Sequence, residues 1–360
     1  MRFPEFSGEW VTKSINDLAV VIGGGTPDTT VKSYWDGEIQ WFTPSEIGKN
    51  KYVDSSLRTI TEVGLNNSSA KLLPPNTILL SSRATIGECS LSLRECATNQ
   101  GFQCLVSKKC NVDFLYYLIQ TKKKDLIRKS CGSTFLEISA NEVRKIQVSV
   151  PSDVEQQKIA ELLSLIDERI ATQNKIIEKL QSLIKGITIL LTAKGKPNTT
   201  IAQCLECHSS TLQESEVSHS GLYKVFGANG LVGYTDMPQM NGDAILIIKD
   251  GSGVGTTSYA QGEFSVIGTL NYLTAISNYD LRYLYFVLSV FNFQSYKTGM
   301  AIPHIYFKDY GNAKIFCPPL SEQKRIANVL GKLESKLCLE QNILASFNLQ
   351  KRYLLGQMFI

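Results

Sequence analysis

The chain has no run of about 18 or more apolar residues, so no segment is expected to span a membrane. Its opening stretch, MRFPEFSGEW, lacks the charged start and apolar core of a signal peptide. Nine cysteines without an export signal then point to reduced thiols and a cytoplasmic location. Catalytic signatures are missing as well. The three histidines, at 208, 219 and 304, belong to no triad pattern. No Asn/Asp-Pro-Pro-aromatic motif of amino-methylation is present, and no glycine fingerprint for a dinucleotide. Asp153-x-Glu155-x-x-Lys158 has the wrong spacing for a nuclease and lies in a helix cap. One-sided charge is scarce: the net is +4, a mild basicity compatible with a polyanion partner but weak support for one. What remains is the composition of a soluble globular protein, 43% hydrophobic and 19% charged over 360 residues, enough for two or three domains.

What is present is a repeat. At an offset of 167, Pro151 to Ala160 falls on Pro318 to Ala327, Asp113-Phe-Leu-Tyr116 on Asp280-Leu-Arg-Tyr283, Gly132 on Gly299, and Ile78 to Leu80 on Ile245 to Ile247. Earlier segments match at a different offset, Ser14 to Leu18 on Thr200 to Cys204. Self-similarity of this kind organises a whole fold. The chain reads as two copies of one unit, each a globular part followed by a long helix.

Ser152-x-x-Glu155 forms a capping box. After it, apolar residues recur in steps of four and three: Ile159, Leu163, Ile166, Ile170, then polar Gln173, then Ile177 and Leu180. The second copy runs Ile326, Leu330, Leu333, Leu337, then Glu340, then Leu344 and Phe347. A period of about 3.5 residues is a coiled-coil seam. An antiparallel pairing would bring Gln173 to Glu340, a buried polar pair that fixes register; the alternative is that both face solvent. The first helix should stop near Ala193 to Pro197. The globular parts read as α+β, with short strand-like runs such as Ile39 to Thr43 and Thr77 to Leu80, and helices over about 112–129 and 279–296. Domain bounds follow: 1–151, a spacer helix over 152–194, a second globular domain over 195–318, and a distal helix over 319–360.

Three motifs have competing readings. Gly251-Ser-Gly253-Val-Gly255 follows a strand, yet no Gly-Lys-Ser/Thr follows it, so it is no P-loop. It matches Ser81 to Gly87 in the other copy, and both look like loops that present backbone and short polar groups to a ligand. Cys204-x-x-Cys207-His208 is half of a zinc site, but no second pair follows and the repeat puts these cysteines on Leu18 and Val21, the inner face of a helix. No metal is therefore expected. Lys122, Lys123 and Lys124 form a cationic helix end, suited either to solvent or to phosphate contact.

Together these residues resemble the specificity subunit of a Type I restriction–modification system, over essentially the whole chain. Gly24-Gly-Thr-Pro27, Tyr34 to Trp41, Ser81 to Gly87 and Thr98 to Phe102 are similar to one variety of that family's target-recognition domain. Tyr223 to Tyr234 with Gly251 to Gly253 resemble another. The Pro/Glu-Gln/Ile-Ala starts of the long helices match the family's helical regions. The resemblance implies two target-recognition domains held apart by an antiparallel coiled coil, and a bipartite, non-palindromic duplex DNA target. About 36 helical residues at roughly 1.5 Å each give about 54 Å, more than one DNA turn of roughly 34–36 Å. It implies two modification subunits, which methylate adenine N6 with S-adenosylmethionine, and two restriction subunits using ATP and Mg2+. This chain itself would be non-catalytic and bind no cofactor.

Base readout needs side chains that reach groove edges. The candidates are Thr43, Ser82, Arg83, Asn99 and Gln100 in the first domain, and Asn229, Lys249, Ser252 and Thr269 in the second. The other role open to several, Asn99 and Gln100 foremost, is to cap turns. A further apolar row, Leu162, Ile176, Leu183 and Leu190, either docks modification subunits or packs under the recognition domains. Two other functions stay open: a coiled-coil protein-interaction scaffold without DNA specificity, and a nucleotide-binding enzyme using the Gly251–Gly255 loop.

Overall fold

The computed structural model describes residues 2–132 and 136–359. The chain divides into two compact units, residues 1–174 with 343–360, and residues 175–342.

The first unit holds β1 (Val11–Ser14), α1 (Ile15–Leu18), β2 (Ala19–Gly23), β3 (Trp35–Phe42), β4 (Tyr52–Val53), β5 (Arg58–Ile60), α2 (Glu62–Asn66), β6 (Ile78–Leu80), β7 (Cys89–Ser92), β8 (Cys96–Thr98), β9 (Gln103–Ser107), α3 (Val112–Thr121), α4 (Lys123–Arg128), α5 (Ala140–Arg144), β10 (Gln147–Val150) and the start of α6 (Asp153–Thr192). One sheet runs β2-β9-β6-β7-β4 and a second β5-β3-β8, while β1 pairs with β10. The pair β3–β8 is parallel. The unbroken apolar run of β6 has a physical reason. Ile78 and Leu80 face a core with α3 and α6, Leu79 faces a second core with Phe42 and Phe102, and all three are fully buried.

The second unit holds β11 (Thr199–Thr200), α7 (Ile201–Cys204), β12 (Leu205–Ser209), β13 (Tyr223–Gly227), β14 (Gly230–Thr235), β15 (Met240–Asn241), β16 (Ala244–Ile248), β17 (Thr257–Ala260), β18 (Glu263–Val266), β19 (Leu270–Ala275), α8 (Leu281–Ser289), α9 (Phe307–Tyr310), β20 (Lys314–Ile315) and the start of α10 (Leu320–Met358). Its sheets run β12-β19-β16-β17 and β14-β13-β18-β15, with β13–β18 parallel. The strand order β2-β9-β6-β7 thus recurs as β12-β19-β16-β17, and the antiparallel–parallel trio β5-β3-β8 recurs as β14-β13-β18.

The duplication extends to single hydrogen bonds. Ser14 and Asp17 cap each other across α1, and Thr200 and Gln203 do the same across α7. Gln156 donates to Pro151 O at 3.0 Å and accepts from Asn111 N at 3.1 Å. Gln323 donates to Pro318 O at 2.8 Å and accepts from Asp280 N at 2.9 Å. Asn111 and Asp280 are the N-caps of α3 and α8. This corrects the alignment, because Asp280 corresponds to Asn111 rather than to Asp113, which lies inside α3 and pairs with Lys51.

The seam positions are all buried or half-buried: Ile159, Leu163, Ile166, Ile170, Gln173, Ile177 and Leu180 on α6, and Ile326, Leu330, Leu333, Leu337, Glu340, Leu344 and Phe347 on α10. Gln173 and Glu340 do not face solvent, at 7% exposure each, and Lys336 reaches Glu340 along its own helix. In the first unit α10 descends α6. Lys351 meets Asp167 at 2.7 Å, and Leu354 and Met358 join the core of Ile159 and Leu163, so the two run antiparallel there. In the second unit Ile187 and Leu191 of α6 pack against the core of Ile326 and Leu330.

Three local expectations differ from the structure. The capping box at Ser152 is only half made: Ser152 Oγ accepts from Glu155 N at 3.4 Å, but the Glu155 carboxylate turns inward, where Arg2 Nε and Nη2 each donate at 2.7 Å. A buried carboxylate goes to the bidentate cation rather than to a backbone amide. The helix over 112–129 breaks at Lys122 into α3 and α4, and α8 stops at Ser289. Cys207 lies in β12 rather than in a helix, while Cys204 closes α7.

Candidate nucleic-acid interface

In the first unit, four turns converge where β3, β6 and β8 end. Gly25 N donates to Thr98 O at 2.8 Å, Asn99 N to Phe42 O at 3.1 Å, and Ser82 N to Gly101 O at 2.8 Å. These bonds gather the Gly24–Pro27 loop, the Thr43–Pro44 turn, the Asn99–Gly101 turn and the Ser81–Gly87 loop into one rim. Ile138 N then donates to Ser82 O at 3.1 Å, which adds the antiparallel bridge of Cys131 with Glu137. The second unit repeats this construction. Lys249 N donates to Thr269 O at 3.0 Å, Ile305 N to Lys249 O at 3.0 Å, and the bridge is that of Thr298 with His304. Gly87 N closes its loop on Ser81 O at 3.1 Å, and Gly255 N closes on Ile248 O at 2.9 Å. Both glycines hold φ near +90° (87° and 89°), a region an L side chain rarely adopts.

Some candidates stand at the surface of the rim. Arg83 is half-exposed, with Nη2 2.8 Å from Glu137 Oε2. Gln100, Asn229 and Ser252 are exposed, Asn229 at the tip of the β13–β14 hairpin. Gln100 Oε1 accepts from Thr26 Oγ1. Lys249 is half-buried. Others are buried or hydrogen-bonded within the rim. Ser82 is fully buried, and its hydroxyl has no hydrogen-bond partner among the described residues. The Thr269 hydroxyl is likewise buried without a partner. Both residues join the rim through backbone bonds, Ser82 N to Gly101 O and Lys249 N to Thr269 O. Thr43 Oγ1 donates to Glu46 at 2.7 Å in a cap, and Asn99 Oδ1 accepts from Gly101 N at 2.8 Å, the turn-holding alternative.

Lys122 sits half-buried at the α3–α4 junction, Lys123 pairs with Glu88, and Lys124 is exposed. The side chain of Lys123 packs under Gly87, so this basic stretch borders the rim. The proposed docking row splits. Leu162 packs against the first unit's core, whereas Ile176, Leu183 and Leu190 are exposed. Glu137, Asp250 and His304 also stand at the rim, outside the candidates that the sequence offers. The 167 offset, which carries Glu137 onto His304 and Arg83 onto Asp250, was the signal that could have found them.

The Gly251–Gly255 loop is no phosphate cradle. The amides of Gly251, Val254, Gly255 and Thr256 are spent on Pro303, Gly251, Ile248 and Gly253 carbonyls, and Asp250 adds a carboxylate where an anion would sit. Cys204 is buried with its Sγ 3.9 Å from Cys317 Sγ. Among the described residues no three His, Cys, Asp or Glu side chains are grouped to hold a metal ion, and no helix is long and apolar enough to cross a membrane.

Comparison with known proteins bears on the same residues. The model of the family described as "Type I restriction modification DNA specificity domain" matches residues 7–182 and 202–348. The specificity subunit of the type I restriction enzyme MjaIX from Methanocaldococcus jannaschii is 40% identical over 180 residues, 48% of this chain and 42% of that protein. That of EcoprrI from Escherichia coli is 25% identical over 348 residues, 87% of this chain and 84% of that one. The crystal structure of the S subunit of a type I restriction–modification system from M. genitalium superposes with a TM-score of 0.66 at 18% identity, covering 100% and 99% of the two chains, a likeness of fold. With two family matches that follow the two structural copies, the chain belongs to the specificity-subunit family of Type I restriction–modification systems.

Proposed function

We propose that this chain reads a bipartite, non-palindromic site on duplex DNA, one half with each unit's rim, as the non-catalytic recognition subunit of a Type I restriction–modification complex. The observation that carries the reading is a pair of matching backbones with unlike side chains. The same loops and the same backbone hydrogen bonds recur in both units, while the rim residues differ. One backbone carrying two sets of side chains is suited to reading two different half-sites. Arginine donates to guanine, and acidic and amide groups take other edges. The 40 residues of α6, at about 1.5 Å each, measure about 60 Å. Such a helix is longer than one turn of duplex.

In this reading, two modification subunits supply adenine-N6 methylation with S-adenosylmethionine, and two restriction subunits use ATP and Mg2+. The exposed row Ile176, Leu183 and Leu190 on α6 offers apolar surface for the modification subunits. The complex acts on chromosomal DNA in the cytoplasm. The test is to map methylated adenines genome-wide in cells with and without the chain. A two-part asymmetric consensus with an unread gap, lost when the chain is deleted, is the expected result. An unchanged methylation map overturns the proposal. Duplex binding that weakens steeply with salt separates it from a protein-only scaffold.

A further inference from the structure

The two rims differ most sharply at one place. Arg83 and Glu137 face each other across an antiparallel bridge in the first unit, and Asp250 and His304 across the equivalent bridge in the second. The offset is 167 for both residues, and the next bridge outward, Cys131 with Glu137, recurs as Thr298 with His304. In the first unit Arg83 Nη2 is 2.8 Å from Glu137 Oε2, with side chains 42% and 37% exposed. In the second, His304 Nδ1 is 2.5 Å from Asp250 Oδ1, with side chains 36% and 31% exposed. The carboxylate has changed sides, standing on the 137 side in the first unit and on the loop in the second. The loop residue is a donor in one copy and an acceptor in the other.

Surface ion pairs of this kind contribute little to stability. Geometry is what the pair supplies. Glu137 and His304 stand on bridges closed by two backbone bonds each, Cys131 with Glu137 at 2.9 Å twice, and Thr298 with His304 at 2.9 and 2.8 Å. Gly132 and Gly299 hold positive φ beside these bridges, 132° and 88°, and at Gly299 a Cβ would lie 2.4 Å from Ile302 O. The bridges are therefore built the same way although the paired side chains are reversed.

We propose that position 83/250 is the base-reading residue of each rim, held by a positioning residue at 137/304, and that the two rims read hydrogen-bond edges of opposite polarity. This rests on the duplex-reading function proposed above. Arg83 donates to an acceptor edge, guanine O6 and N7, while Asp250 accepts from a donor edge, the cytosine N4 amino group. His304 occupies Asp250 Oδ1, and Oδ2 has no hydrogen-bond partner among the described residues.

The test uses the full chain co-expressed with the modification subunits of its system, reading the methylated-adenine consensus by sequencing. Asp250→Asn, nearly isosteric, presents a donor and an acceptor together and should move one base pair of the second half-site from cytosine toward adenine. The preference should shift at least about fivefold, the lower end of what one good base contact discriminates. The first half-site should stay as it is. Asp250→Arg with His304→Glu imports the first unit's pair and should turn the same position to guanine. His304→Ala should blur that position, and His304→Asn, which keeps a donor near the place of Nδ1, should restore it. A wild-type consensus from both Asp250 variants overturns the inference, as does an equal loss of modification at every sequence. A wild-type chain that directs no two-part consensus overturns the function itself, so the two failures are told apart.

Discussion

Arg83 and Asp250 stand at one backbone position in two copies of the same rim, each facing a partner of opposite polarity across the same bridge. The bonds that tie each loop to its bridge recur between the copies, Ile138 N to Ser82 O and Ile305 N to Lys249 O. An exposed pair of this kind adds little to stability, so the reversal fits the proposed reading of two different half-sites.

Arg83→Ala removes the first rim's guanidinium and should relax a single base pair in the first half-site, costing about 1–3 kcal/mol of discrimination there. Selection of bound duplexes from a randomised library measures it. If the second half-site changes equally, Arg83 does not act within one rim.

The long helices divide into covered and open faces, and variants should divide with them. Leu163 is fully buried in the first unit's core, so Leu163→Ala should destabilise by about 2–5 kcal/mol. Leu190 is 69% exposed, and Leu190→Ser should change stability by no more than about 0.5 kcal/mol. Denaturant unfolding gives both values. Combined with Ile176→Ser and Leu183→Ser, Leu190→Ser should abolish co-purification with modification subunits while the chain stays folded. Normal assembly of that triple variant would remove the docking row.

Gln156 and Gln323 perform one task in each copy, tying the start of a long helix to the N-cap of a shorter one. Both are nearly fully buried. Gln156→Ala and Gln323→Ala each leave a buried amide without its partner and should cost about 1–3 kcal/mol. Hydrogen exchange should show the loss in α3 for one and α8 for the other. An effect in only one copy would mean that the repeated bonds are not energetically equivalent.

Thiol reactivity tests both the cores and the rim. Burial pushes Cys89, Cys96, Cys104 and Cys110 up to about 12, which keeps them protonated near neutral pH. Cys131 and Cys338 are exposed. Iodoacetamide should label these two in the native chain and spare Cys89, Cys96, Cys104 and Cys110, as peptide mass spectrometry will read. Bound duplex should then shield Cys131, which lies at the rim's antiparallel bridge, and leave Cys338 reactive. Undiminished labelling of Cys131 under saturating duplex would place the DNA elsewhere.

By itself the sequence determined the duplication, the two long helices, their seam and their ends. The duplication rests on self-similarity along the chain, and the helices on local periodicity and stop signals, none of which needs knowledge of what packs against what. The apolar steps from Ile159 to Leu180 and from Ile326 to Phe347 could be read one residue at a time. Tertiary structure alone decided which polar side chains remain available. Ser82 and Arg83 are adjacent in sequence, yet one is buried beneath the rim and the other stands on it. Glu155 fits a cap motif but is claimed by Arg2, 153 residues away. Burial and long-range pairing are set by what packs against a residue, and no window of neighbouring sequence contains that information.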